Sequence, residues 1–470
     1  MHQIALLTSI CVSSVAHAQL SPSGNLPLPT TSTGAPSYAT GSGVRLEGTR
    51  LVLAIGASDA GINREGVVRV FTLNPANEPS WRDLRSPNPV PNGHFGQNVE
   101  LTADEFFVSE QGTGLVHVFE RTNSGPIHRQ AIPLNAASPS SLAVHGGQMF
   151  IGDPIDSSYP GRVHVLERSA QGWQTTRILL PPFPASQQNF GASIRVIGGQ
   201  LAVAEAVSPV SSCTGRVWLY DLSNLAAAPA QLPAPIGAVG CSLFGTGIFA
   251  DGSTLIVRAR DDSGASGQAG AAFFYERSSN GSWQQVLKLG PPNNESNWEW
   301  GVSCPRDGTA IVSGDRFDAP RILQVARRVG SSWSSQETIA LPNGSVNRPW
   351  GNQLIAGTAF LPYFSSQGSG IALVAIGGDC DEDGLSDELE IQLDPSQDCN
   401  ADGTPDSCAS LPICASDLNA DGTTDGRDLG VLVSAWGESG AGSGTADINA
   451  DGATDCVDLA LMLAAWGECP

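Results

Sequence analysis

The sequence predicts an all-β protein, a seven-bladed β-propeller followed by a small acidic loop-helix domain. Three observations carry this reading. A pattern of about fifty residues recurs seven times between residues 37 and 377. Within each copy apolar residues alternate with period two, and turn signals arrive about every 8–12 residues, as in short antiparallel strands. From Asp379 the chain changes character: residues 379–470 hold 21 acidic residues and one basic residue, Arg427, against 25 and 23 in the remainder. A two-sheet sandwich would accommodate the strands but would not explain the regular period, whereas three to four strands per repeat is the length of a propeller blade.

Taken in order, the chain begins with a short apolar run, Ile4 to Val15, closed by Ala16-His17-Ala18. Small residues at the −3 and −1 positions of a cleavage site make 1–18 an expected signal peptide, and hence the protein an expected exported one. Residues 19–36 are rich in Pro, Ser, Thr and Gly and read as a linker. No later run of about 18 apolar residues occurs, so no transmembrane segment is expected.

The repeat fills 37–377. A copy starts with an aromatic residue and Gly, passes through two apolar strands joined by a Gly-containing turn, and reaches a third strand of the form Gly-x-Val-x-Val-Phe, often ending in Glu-Arg. A Trp and a last strand follow. Phe95-Gly96 leads to Gly114-Leu-Val-His-Val-Phe-Glu-Arg121, Phe190-Gly191 to Gly215-Arg-Val-Trp-Leu-Tyr220, and Phe244-Gly245 to Ala271-Ala-Phe-Phe-Tyr-Glu-Arg277. Trp300-Gly301 and Trp350-Gly351 open the last two copies, and the first has only Leu51-Val-Leu-Ala-Ile55 and Gly66-Val-Val-Arg-Val-Phe71. Trp173, Trp283 and Trp333 recur at one point and read as blade packing; His117 and His164 share a strand slot and read as structural. Trp298 and Trp300 are the best sequence candidates for a recognition surface. The Phe-Gly starts and Gly-rich strand pairs resemble the FG-GAP repeats of integrin-α-type propellers. Many blades of that family carry a D-x-D-x-D-G loop; none occurs here before Asp379.

The tail carries the chemistry that the pattern makes readable. Asp379-Cys-Asp-Glu-Asp-Gly-Leu-Ser-Asp-Glu-Leu-Glu390 is a full D-x-D-x-D-G-x5-E match. A hard cation such as calcium takes 6–8 oxygens, supplied here from positions 1, 3, 5, 7, 9 and 12. In this first loop those are Asp379, Asp381, Asp383, Leu385 through its carbonyl, Asp387 and Glu390. A second loop offers Asp398, Asn400, Asp402, Thr404 and Asp406, with Ala409 leaving position 12 open. A third offers Asp417, Asn419, Asp421, Thr423, Asp425 and Asp428, and a fourth Asp447, Asn449, Asp451, Ala453, Asp455 and Asp458. Gly at position 6 of each permits the sharp turn. The expected cofactor is therefore Ca2+, and carboxylates this dense predict a tail that is loose without it.

The third and fourth loops are each followed by an apolar stretch with helical spacing, and residues 417–438 and 447–468 agree at 13 of 22 positions. This loop-helix duplication resembles a type I dockerin module, spanning 409–470. The resemblance implies a cohesin-like or other extracellular scaffold protein as partner, with Asp417, Asn419, Asp421 and Asp428, and Asp447, Asn449, Asp451 and Asp458, as calcium ligands. Positions 10 and 11 differ between the copies, Gly426-Arg427 and Cys456-Val457, so two equivalent partner faces are not expected. The first two loops, in a stretch 378–408, are similar to thrombospondin type 3 calcium repeats and read as a spacer. Six of the ten cysteines lie in the tail, with Cys399 and Cys408 around the second loop and Cys456 and Cys469 around the last helix. In an exported chain these predict disulfides.

The chain contains no G-x-S-x-G, no H-E-x-x-H and no phosphate-cradling loop. With no basic patch, nucleic acid is not an expected partner. The leading expectation is a secreted, non-enzymatic calcium-binding protein whose propeller presents a surface to a glycan or protein and whose tail anchors it. The alternatives are an extracellular polysaccharide-degrading hydrolase or lyase carrying the same tail, and an integrin-like adhesion protein.

Overall fold

The computed structural model describes residues 25–28 and most of 41–376, leaving out connections of which 207–214 and 291–298 are the longest. Beyond them it describes 378–380, 385–398, 403–405, 415–419, 423–438, 446–449 and 451–468. Seven antiparallel sheets follow one another along the chain. Blade one is Gly41–Glu47, Arg50–Ala57, Val67–Asn74 and Asn77–Leu84, blade two Phe95–Leu101, Glu105–Glu110, Leu115–Glu120 and Ile127–Pro133. Blades three to six start at Ser141–His145, Phe190–Ile197, Phe244–Asp251 and Glu299–Arg306 and repeat the same order. First strands of successive blades pack side by side, and Gly41–Glu47 meets Gln353–Ile355 of blade seven, which closes the ring. The seven-bladed propeller is therefore as the repeat predicts.

Blade seven is built from both ends of the propeller. Val346–Asn347 and Gln353–Ile355 share the inner side of Thr358–Ser365, Gly368–Ala375 follows, and Asn25–Pro27 forms the outer edge with Asn25 opposite Ala372. The stretch expected as a linker, 19–36, thus contains an edge strand. It is three residues long, too short to show alternation, and it ends on Pro27, which an edge tolerates because no neighbour needs its missing N–H. Leu26 is only 4% exposed.

The Phe-Gly motif is a blade-to-blade joint. Gly66 and Gly161 form isolated parallel bridges with Phe95 and Phe190 of the following blades. A Cβ on Gly161 would lie 2.3 Å from the Phe190 carbonyl oxygen, and one on Gly215 would lie 1.7 Å from that of Phe244. The partner glycines Gly96, Gly191 and Gly245 have φ of 94°, 89° and 99°, in the region that L side chains avoid. Phe95, Phe190 and Phe244 are buried between the sheets.

The recurring Glu-Arg and Trp are joints as well. Arg121 reaches back to blade one, with Nη2 donating to Glu47 Oε2 at 2.9 Å. Arg168 Nη1 donates to Glu105 Oε2 at 3.1 Å in blade two, and Arg277 Nη1 to the Gly198 carbonyl at 2.6 Å in blade four. Trp283 Nε1 donates to Gln200 Oε1 at 3.1 Å and Trp333 Nε1 to Glu276 Oε1 at 2.6 Å, each in the preceding blade. Trp173 and Phe107 of adjacent blades meet edge to face with centroids 5.6 Å apart. These tryptophans are packing residues, as the repeat predicts.

Three α-helices occur among the described residues: α1, Asp387–Leu393; α2, Gly426–Ser434; and α3, Cys456–Ala464. Part of the segment expected as a spacer, 378–408, packs on the propeller. Leu385, Leu389 and Leu393 share one buried cluster with Leu26, Leu51, Leu53, Phe71, Ile355, Phe360 and Ile371 of blades one and seven. Helices α2 and α3 have a core of their own, centred on Leu432, Ile448, Val457, Leu461 and Met462. Cys456 carries a thiol, which corrects the expectation of a cross-link there; Cys380 is disulfide-bonded.

If the Phe-Gly joint fixes the blade spacing, Phe190→Ala should lower unfolding stability by about 3–5 kcal/mol, the usual cost of emptying a buried aromatic site. Urea denaturation followed by far-ultraviolet circular dichroism measures this.

Candidate metal centre

Helices α2 and α3 begin alike because their loops end alike. Asp425 and Asp455 are the N-caps, accepting from Arg427 N and Val457 N, and Asp428 and Asp458 three residues on complete a reciprocal capping box. Asp428 and Asp458 are fully buried. Asp428 accepts the N–H of Asn419 at 3.0 Å and of Asp425 at 2.8 Å. Asp458 accepts those of Ile448 at 2.6 Å, Asn449 at 3.3 Å and Asp455 at 2.8 Å. Burial pushes the Asp458 carboxyl above its usual range, while these three N–H groups pull the other way.

The fourth loop curls its oxygens inward. Asp447 accepts from Asp451 N at 3.1 Å and Gly452 N at 2.9 Å, and Asn449 Oδ1 accepts from Asp451 N at 3.1 Å. Gly452, at position 6, has φ of 96°. The second loop repeats the position 1 to position 6 bond, with Gly403 N donating to Asp398 Oδ2 at 3.0 Å, and Gly403 has φ of 87°. Each loop is tied to the far end of the other unit. Thr423–Thr424 pair with Gly467–Glu468, and Thr454 exchanges backbone bonds of 2.8 and 2.9 Å with Gly437 and Glu438. The duplication in sequence is therefore a near-twofold arrangement in space.

In the first loop Leu385 is buried in the closing seam and Glu390 is 7% exposed on α1. Asp387 Oδ1 accepts from Cys380 N at 3.0 Å, drawing the loop ends together. Asp379, Thr404, Asp417, Ala453 and Asp455 also lie in described segments, whereas Asp381, Asp383, Asn400, Asp402, Asp406 and Asp421 lie outside them. Among the described residues no cluster of three or more His, Cys, Asp or Glu side chains stands close enough to hold a metal ion. The donor chemistry fits a hard cation all the same: the potential ligands are oxygens, and the position-12 carboxylates Glu390, Asp428 and Asp458 are buried.

The propeller holds a second family of buried acids, at the ends of the second strands: Glu110, Asp153 and Glu205. Glu110 Oε2 meets His117 Nε2 at 2.9 Å, and His117 Nδ1 meets His128 Nε2 at 3.2 Å. Asp153 Oδ2 accepts from Arg162 Nε at 2.8 Å, with His164 Nε2 3.8 Å away. Glu205 accepts from Trp218 Nε1 at 2.6 Å and Gln188 Nε2 at 3.1 Å. Burial raises Glu205, opposed by Trp218 and Arg216. Sequence reading placed His117 and His164 as structural and missed the acids they face. The signal was present as Val-Ser-Glu110, Ile-Gly-Asp153 and Val-Ala-Glu205 at one strand end. Trp298, and the side chain of Trp300, lie outside the described residues.

Burial, then the neighbouring His117, hold His128 below the usual histidine range. A second proton on the pair would set two donors face to face. The folded state therefore takes up fewer protons than the unfolded chain, so this stability is complete above the ordinary histidine range and is lost as pH falls through it. Melting temperature should fall between about pH 7.5 and about pH 5.5, and His128→Gln should shrink that fall. Thermal melts across the range measure both.

Neither a protein-family model nor a curated protein matches this sequence. Among solved structures the chain is similar to a streptogramin B lyase, at 10% identity and a TM-score of 0.48, covering 76% of this chain and 99% of that one. An inactive variant of virginiamycin B lyase from Staphylococcus aureus, crystallised with quinupristin, matches at 11% identity and a TM-score of 0.47, covering 74% and 97%. A chain of the mitotic checkpoint complex matches at 13% and 0.43, covering 68% and 83%. The number of blades rests on the sheet order of this chain itself.

Proposed function

We propose that this is an exported calcium-binding protein in which a seven-bladed propeller presents a binding surface to a glycan or protein, and the C-terminal loop-helix pair attaches it to an extracellular scaffold. The observation that carries the reading is the pairing of the two tail units. Their position-12 carboxylates, Asp428 and Asp458, are fully buried, and each loop is bonded to the chain just beyond the other unit's helix. Buried acid at equivalent points of a duplicated unit is costly unless a cation compensates it. Calcium binding would release that cost and fix the angle between α2 and α3. The resemblance of 409–470 to a type I dockerin supplies the attachment, with a cohesin-like domain as partner. The resemblance of the propeller to FG-GAP repeats supplies the surface role.

The propeller's own polar groups favour binding over catalysis. Glu110, Asp153 and Glu205 each accept hydrogen bonds from neighbouring strands or connections. No helix among the described residues is long and apolar enough to cross a membrane.

Two measurements test the proposal. Calorimetric titration of the full chain should show calcium binding, weakened by Asp428→Asn and Asp458→Asn. Calcium at about 100 times its dissociation constant should stabilise the tail by about 2.7 kcal/mol. Immobilised cohesin-type domains should capture the full chain in calcium and lose it in chelator; equal capture in both would refute calcium-dependent attachment. Cleavage of a polysaccharide panel by the full chain would overturn the binding-only role of the propeller.

A further inference from the structure

The pairing registers bring one slot of the inner strands to the same level in every blade. Glu100 in blade two lies opposite Phe107 of the second strand, and Arg195 in blade four lies opposite Ala202. The same slot is Gly43 in blade one, Ala143 in blade three, Phe249 in blade five and Gln353 in blade seven. The side chain of Ser303, which holds it in blade six, lies outside the described residues. Each of the six described residues faces an apolar second-strand residue with no exposed surface, Phe107 and Ala202 among them. Those partners belong to the cores between blades: Phe107 packs with Met149 and Ile151 of blade three, and Ala202 with Leu255 and Val257 of blade five. The slot is therefore the inner rim of each seam, where the apolar core meets the channel round which the seven sheets close.

Such a rim suits small, apolar or hydrogen-bonded side chains, and four of the six comply. Ala143 is buried in its seam. A Cβ on Gly43 would stand 3.1 Å from Leu101 Cβ, and one on Gly247 would stand 3.1 Å from Cε2 of Phe249, whose ring lies along the channel wall. Gln353 Nε2 donates to Ser42 Oγ at 2.7 Å in blade one. Glu100 and Arg195 are different. Both are half-buried charges. Arg195 Nη1 donates to the Ile194 carbonyl at 3.0 Å, and among the described residues Glu100 accepts no hydrogen bond and neither side chain is in an ion pair. They sense each other all the same: burial raises the Glu100 carboxyl, and Arg195 opposes it. An acid and a base thus share one level of the channel without touching. Blade three lies between them, and its slot residue, Ala143, is too short to bridge them. A charge left without a partner beside an apolar core is costly.

We propose that the central channel binds a small zwitterion, an amino-acid-like molecule whose ammonium group is held by Glu100 and whose carboxylate is held by Arg195. The site stands without the calcium and attachment readings above. The ammonium group donates to the Glu100 carboxylate, and the guanidinium fork of Arg195 donates to both oxygens of the ligand's carboxylate, a geometry it matches well. The carbon chain between the two groups crosses the rim at Ala143, and Phe249, next round the ring from Arg195, offers an apolar wall. A neutral sugar could hydrogen-bond both side chains but would leave both charges uncompensated. A zwitterion compensates each with its opposite, and this decides the ligand class.

Calorimetric titration of the full chain with a ladder of ω-amino acids, from glycine to aminohexanoate, tests the site and measures the span between its two charges. One length should bind best, on the order of ten-fold more tightly than the carboxylic acid or the alkylamine of the same length, since each of these lacks one charge-assisted contact. Glu100→Gln and Arg195→Gln should each weaken the best member on the order of ten-fold, with the far-ultraviolet circular dichroism of the parent chain retained. A parent chain that binds no member of the ladder overturns the proposal. So does a parent chain that binds the acid or the amine as tightly as the best zwitterion, a comparison that needs no variant. Binding that survives both substitutions in folded variants places the ligand elsewhere and overturns the assignment to Glu100 and Arg195.

Discussion

The approach of one blade's backbone to the next sets the spacing on which the propeller depends. Where Gly161 meets Phe190 and Gly215 meets Phe244, there is no room for a Cβ. The glycines are therefore required by contact and the aromatic rings by burial, and the two requirements meet across each of these seams. This places the sheets near enough for Trp173, Trp283 and Trp333 to span each gap and for Arg121, Arg168 and Arg277 to bond across it. Closing the ring leaves only short inner sheet edges, with the first strands of successive blades packed side by side.

That construction consumes much of the propeller's buried polar chemistry. Each acid at the end of a second strand is met by an N–H or ring nitrogen of its own blade or a neighbouring connection: Glu110 by His117, Asp153 by Arg162, Glu205 by Trp218. Buried polar groups need such partners to avoid a desolvation penalty.

The tail follows a different logic. Its acids draw their donors from the backbone, because residues 379–470 contain a single basic side chain. Backbone N–H groups meet both carboxylate oxygens of Asp428, Asp447 and Asp458. The first loop stands apart from the last two because its helix is seated in the propeller's closing seam. The third and fourth are instead tied to each other.

The amino-acid sequence by itself determined the number of blades, the strands within them, the glycine turns and the two tail helices. These are local: period-two alternation, Phe-Gly and Asp-x-x-Asp caps act over a few residues and can be read along the chain. It also exposed the recurring Trp and Glu-Arg as structural, since repetition is itself a local observation. Only the tertiary structure decided which distant residues complete a unit. Asn25–Pro27 is too short to announce itself as the outer strand of blade seven, because its partner lies more than three hundred residues away. Leu389 and Ser386 read as part of a calcium loop and its helix, and only folding shows that Leu389 shares a buried cluster with Leu73 and that Ser386 bonds the Ala356 carbonyl. The carboxylates of Glu110, Asp153 and Glu205 recur in sequence, yet their role was fixed by burial and by the donors that three-dimensional proximity brought to them.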